Sequence, residues 1–141
     1  MRRWVFDTSV LVAGLTSRRG ASFVLLGFVA DRIIRPLATP ALFLEYEDVL
    51  KRPEHLLAMK ISAAAVDRYL DGLADAIQPV EIHYRWRPQL PDPNDELVLE
   101  AAINGRATAL ITHNIRDFSQ LGTSFGIELL RPGAALMRIR R

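Results

Sequence analysis

The chain has 141 residues, of which 50% are hydrophobic and 24% charged, with a formal net charge of +2 and no cysteine. That length fits one domain able to bury its own core, and the missing cysteine excludes disulfides, thiolate metal sites and cysteine nucleophiles. No stretch is apolar for long enough to span a bilayer, and Asp7 follows Arg2-Arg3 too soon for a signal peptide, so a cytoplasmic protein is expected.

Arg3 to Phe6 is a short β-rich run ending at Asp7 and reads as a first strand. Thr8 or Ser9 is placed to cap a short helix through Gly14. Ser17 to Gly20 reads as a loop and Ser22 to Asp31 as an apolar helix. Ile33 to Leu37 suits a buried strand interrupted by Pro36. Thr39-Pro40 is a helix start, with a cap residue before a proline at the first helical position, and the helix runs from Ala41 to Lys51 until Pro53 ends it. Ser62 to Ile77 is a second amphipathic helix, and Val80 to Tyr84 a further strand. After the proline-rich segment Arg87 to Asn94, a helix from Asp95 to Asn104 closes on Gly105 as a C-terminal cap. Ala107 to Thr112 is the strongest buried strand. His113 to Ser119 reads as a loop or helical turn, Ile127 to Leu130 as the last strand, and Pro132 opens a C-terminal helix. Strands alternating with helices predict an α/β fold: a three-layer α/β/α sandwich around a central, mainly parallel sheet.

Open parallel sheets bind ligands beyond the carboxyl ends of their strands. Asp7 and Thr112-His113-Asn114 stand at two such ends, Asp95 starts the helix feeding the second strand, and Glu45 lies about one turn into its own helix. Carboxylates drawn to one point repel each other unless a cation joins them, and a hard ion such as Mg²⁺ or Mn²⁺ suits oxygen donors. One ion activates a water, and two stabilise both the attacking and the leaving oxygens of a phosphodiester. Each acid also has a plainer reading. Asp7, Asp92, Asp95 and Asp117 are all placed to cap helices or turns, and Glu45 is one of three acids in Glu45-Tyr46-Glu47-Asp48. Arginine far outnumbers lysine, which occurs only at Lys51 and Lys60. Guanidinium forks match phosphate geometry, although a coding bias toward arginine explains the excess as well. Arg18, Arg19, Arg52, Arg85, Arg87 and Arg116 are placed to flank the acids and hold a phosphate chain. His113 reads as a bystander, Trp4 as core, and the apolar segments Phe23 to Val29 and Val66 to Leu73 as core or as a face for a second subunit or partner helix.

Four blocks then form a pattern: Val5 to Val12 around Asp7, Leu44 to Pro53 around Glu45, Leu90 to Glu96 continuing to Ala101-Ala102 around Asp92 and Asp95, and Leu110 to Phe118. In that order and spacing the chain resembles the PIN-domain family, and within it the VapC-like toxins of bacterial toxin–antitoxin systems. The resemblance implies a Mg²⁺- or Mn²⁺-dependent endoribonuclease with an RNA substrate and a cognate antitoxin, and a homodimer is expected beside it. It matches Asp7, Glu45 and Asp95 to the first three acids of the family site and Asp92 to an additional acid found in some members. Many members carry an aspartate directly after the late strand, where this chain has Asn114. Others pair an asparagine there with an aspartate soon after, here Asp117, so Asp117 or Asn114 is expected to complete the site. Thr8, Ser9 and Thr112 match small hydroxyl positions that orient a carboxylate or a metal-bound water, or serve only as caps. A PIN nuclease of RNA processing or DNA repair, and a binding module without catalysis, remain as alternatives.

Overall fold

The computed structural model describes residues 2–83, 90, 92–122 and 125–140. Three short strands form its centre: β1 (Trp4–Phe6), β4 (Ala109–Ile111) and β5 (Glu128–Leu130), in the order β1-β4-β5. Both ladders are parallel, pairing Phe6 with Ile111 and Ile111 with Leu130. Every residue of β1 and β4 is buried, which is why these segments read as continuous apolar runs rather than as alternation. The next residues along each strand, Asp7, Thr112 and Arg131, therefore come out flush on one edge of the sheet. Two hydrogen bonds fix that register: Asp7 N–H donates to the Ile111 carbonyl (2.9 Å) and Thr112 N–H to the Leu130 carbonyl (3.0 Å).

Helices fill the connections: α1 (Thr8–Thr16), α2 (Ala21–Ala30), α3 (Pro40–Leu50), α4 (Pro53–Met59), α5 (Ala63–Ala76), α6 (Pro93–Asn104), α7 (Ile115–Gly122) and α8 (Pro132–Ile139). The helices α1, α2 and α8 pack in sequence on one another, while α6 and α7 pack together with β1 and β5, and α3 bridges α1 and α6. One contiguous apolar core joins all of them. The α/β class and parallel sheet agree with the sequence. No single helix among the described residues is long and apolar enough to cross a membrane.

Two helix starts follow their sequence signals. Thr39 Oγ1 accepts from Leu42 N–H ahead of Pro40, and Ser62 Oγ accepts from Ala65 N–H, both at 3.1 Å. Elsewhere the structure corrects the sequence. Residues 33–36 are not a strand: Ile33 is exposed, and β2 is Leu37–Ala38, which pairs in parallel with β3 at Gln78–Pro79 in a separate two-stranded sheet. The later strand thus lies before Val80 rather than after it, and Tyr84 falls outside the described residues. Pro53 opens α4 as well as ending α3. The cap position of α1 is Asp7, not Thr8 or Ser9. Residues 115–122 form a helix rather than a turn.

Gly105 does end α6, but in a right-handed conformation, and the left-handed residue is Arg106. Glycine stands there for space. A Cβ would lie 2.9 Å from the Ala101 carbonyl oxygen, 3.0 Å from Val80 and 3.1 Å from Leu37.

Candidate active site

Asp7 occupies the N-cap position of α1, yet its carboxylate makes no capping hydrogen bond. It is 6% exposed, and its Oδ2 accepts two hydroxyl donors at 2.7 Å, Ser9 Oγ and Thr112 Oγ1. Capping therefore does not explain this acid. The two hydroxyl donors satisfy one buried carboxylate oxygen and fix its position. Thr112 Oγ1 also accepts the N–H of Asn114 at 2.9 Å, so one hydroxyl ties the first acid to the turn that leads into α7. Ser9 Oγ likewise accepts the N–H of His113 at 3.2 Å. Thr8 is buried beside them.

Tyr46 is a structural residue that the sequence did not single out. Its hydroxyl donates to the carbonyl of Phe6, pinning α3 to the end of β1 and so setting the neighbouring Glu45 near the same edge. Burial, and then the charge of Asp7, push its phenol well above the ordinary range. The visible signal was only a hydroxyl-bearing aromatic at an apolar position of the helix. Its partner lies 40 residues away in sequence.

Glu45 Oε1 is buried without a hydrogen-bond partner among the described residues. Burial raises the carboxyl's pKa, Asp48 raises it further, Arg52 opposes the shift, and Asp92 adds to it. Asp95 is perturbed more strongly. It sits in the first turn of α6, where the helix dipole should favour its charge. Instead its pKa is raised to about 7 by burial and then by the charges of Asp7, Asp92, Asp117 and Glu96. Asp92, in contrast, is a true cap: its Oδ1 accepts Asn94 N–H at 2.9 Å.

The structure thus groups Asp7, Asp92, Asp95 and Asp117 around a shared field, and Asp92 extends that field to Glu45. The coupling is by charge rather than by contact. No three of the described histidine, aspartate and glutamate side chains converge into a ready-made metal cage. The donor set still fits a hard divalent ion. It consists of carboxylate oxygens, one of them buried and unpartnered, and a cation would offset the repulsion that adds to burial in raising the Asp95 pKa. Asn114 and Asp117 are exposed at the start of α7, where Asp117 N–H donates to the Asn114 carbonyl (3.0 Å).

Of the arginines expected nearby, Arg52 contacts Asp48 (3.4 Å) and its charge reaches Glu45. Arg18, Arg19 and Arg116 are exposed. Arg85 and Arg87, with Trp86, lie outside the described residues. Trp4 is core, as expected, and so are Val66, Leu70 and Leu73 of α5. His113 is exposed and hydrogen-bonded: its Nε2 and Ser22 Oγ share a hydrogen bond of 2.9 Å, and its carbonyl accepts from Arg131 Nη1 at 3.2 Å.

Fold and site together define an α/β protein with a carboxylate centre at the carboxyl edge of a parallel sheet. The chain belongs to the PIN-domain family: a family model described as PIN domain matches residues 3–116. PIN domains are typically nucleases and generally use divalent metal ions. The matched stretch holds Asp7, Glu45, Asp92, Asp95 and Asn114 and stops one residue short of Asp117. Neither the search among curated proteins nor that among solved structures finds a match to the chain.

Proposed function

We propose that this PIN domain is a Mg²⁺- or Mn²⁺-dependent endoribonuclease that acts as the toxin of a toxin–antitoxin pair. The carrying observation is Asp95, a half-buried carboxyl whose pKa is raised to about 7 by burial and then by the charges of Asp7, Asp92 and Asp117. Perturbation of this kind marks functional carboxylates. Asp7, Glu45 and Asp95 would hold the ion, with Asp117 and Asn114 completing the set. When bound, the ion supplies the charge that activates a water and steadies the leaving oxygen of an RNA phosphodiester. The chain's own residues do the rest. Ser9 and Thr112 hold the Asp7 carboxylate in place, Tyr46 fixes the helix that carries Glu45, and Asp92 anchors the first turn that carries Asp95. Arg18, Arg19, Arg52 and Arg116 supply positive charge for the strand.

The toxin role and the cognate antitoxin are supported by the order of the four sequence blocks, and a homodimer and a cytoplasmic setting are part of the same proposal. Protein freed of any antitoxin and supplied with Mn²⁺ is expected to cleave RNA, with D7N slower by at least a hundredfold. Induced expression of the wild type, but not of D7N, is expected to arrest growth, and co-expression of a neighbouring small reading frame to relieve it. Equal cleavage by wild type and D7N would remove the enzyme reading. Cleavage without growth arrest would leave a nuclease outside any toxin system.

A further inference from the structure

Beside the acids, on the same sheet edge, lies a cleft of about 650 Å³ between the α1–α2 loop and the start of α8, a size typical of small-molecule sites. Ala21, Leu129 and Pro132 give it an apolar wall, and Ser17, His113 and Arg131 line it with polar groups. Register explains its position. Asp7 follows β1, Thr112 follows β4 and Arg131 follows β5, so the first acid and the arginine of the cleft stand on the same edge with Thr112 between them. The two are joined by hydrogen bonds. Arg131 donates to the His113 carbonyl, His113 N–H donates to Ser9 Oγ, and Ser9 donates to Asp7.

Charge indicates what the cleft takes. Among the described residues Arg131 has no carboxylate partner, and neither do Arg18 and Arg19 on the loop whose ends line the cleft. Guanidinium groups without a carboxylate partner, beside an apolar wall, suit a ligand with an anionic and an apolar part. We propose that the cleft is a nucleotide subsite for single-stranded RNA. It holds the nucleotide next to the scissile phosphate, with the base against Ala21, Leu129 and Pro132 and the phosphate on Arg131. This assignment rests on the ribonuclease reading above and extends it to how the strand is aligned.

The test separates the two. A fluorescent seven-nucleotide single-stranded oligoribonucleotide is titrated in EDTA, so that binding is read without cleavage. R131A is expected to weaken binding about tenfold and to lower the slope of log K against log salt by about 0.7, the loss of one phosphate contact on a single strand. G133F tests the cleft without touching Arg131. A side chain there meets no atom within 4 Å of its Cβ, so it projects into open space at the cleft lining, and binding should again fall tenfold with an unchanged circular dichroism spectrum. D7N should bind at least as tightly as wild type. Failure of the wild type to bind the oligoribonucleotide, or affinities and salt slopes unchanged in both cleft variants, overturns the subsite and leaves the cleft to a peptide partner. RNA binding that depends on the cleft in a protein that cleaves nothing upholds the subsite and removes the enzyme reading alone.

Discussion

Asp7 is nearly sealed from solvent, so its carboxylate oxygens must find their hydrogen-bond partners within the protein. Thr112 supplies one of two hydroxyls to Oδ2 and accepts the Asn114 N–H with the same atom. T112V keeps the side-chain volume and deletes both bonds, leaving a buried acceptor with one donor fewer. The expected cost is about 1–3 kcal/mol by urea denaturation. Metal-dependent cleavage should fall about 10–100-fold, the usual effect of losing a group that orients a metal ligand. T112S keeps the hydroxyl and should recover most of the activity. A T112V enzyme as fast as wild type would show that Ser9 alone suffices. Asp95 allows a second prediction. Its folded pKa of about 7 lies above the value of about 3.9 for an unfolded aspartate. Between those values the folded chain holds a proton that the unfolded chain releases, so stability falls as pH rises. In EDTA, the melting temperature of the wild type relative to D95N is expected to be highest near pH 4 and to decline until about pH 7. D7N should lower the Asp95 pKa only part of the way, since burial is the larger cause. A difference between wild type and D95N that does not vary with pH would contradict the shift.

At the scale of elements, the joint between α6 and the small sheet is tightly specified. G105A adds a methyl 2.9 Å from the Ala101 carbonyl and about 3 Å from Val80 and Leu37. Backbone cannot yield as a flexible side chain does, so about 1–3 kcal/mol of destabilisation is expected from overpacking. Gly72 gives the opposite case. It lies inside α5, with open space where a Cβ would be, and G72A should stabilise by about 0.5–1 kcal/mol because alanine loses less chain entropy in a helix. Matched urea melts of the two variants check both signs. The same contrast explains what could be read in the sequence. Thr39-Pro40 and Ser62 act within one helical turn, so their residue types suffice to mark a helix start. The strand runs at Trp4–Phe6 and Ala109–Ile111 are apolar throughout because both faces are covered. The ladder of Leu37–Ala38 with Gln78–Pro79 is two residues long, too short for any periodicity, and depends on register across 40 residues. Asp7, Glu45 and Asp95 were visible as acids at strand and helix ends. The tyrosine hydroxyl that holds Glu45's helix, and the role of His113 as a joint between Asp7 and the cleft, depend on tertiary placement that no local pattern encodes.

The whole molecule is coupled to its site because the acids come from four separate elements: the end of β1, α3, α6 and α7. The unfolded chain has no reason to bring them together, so an ion that binds them binds only the folded state and stabilises it by mass action. Mn²⁺ at a hundredfold excess over its Kd should add about 2.7 kcal/mol, seen as a rise of several degrees in melting temperature that EDTA reverses. Each acid removed weakens this linkage, so D7N and D95N are expected to show little or no rise even where they fold normally. The rise should also depend on pH in a direction opposite to the metal-free trend. Below about pH 7 the ion must displace the proton that Asp95 holds, which lowers its apparent affinity by up to tenfold per pH unit. The Mn²⁺-induced shift is therefore expected to be smaller at pH 5.5 than at pH 7.5 in the wild type. D95N, with no proton to displace, should show no such difference. A wild-type melting temperature unmoved by Mn²⁺ at pH 7.5, or an equal rise in wild type and D7N, would break the link between these carboxylates and a metal.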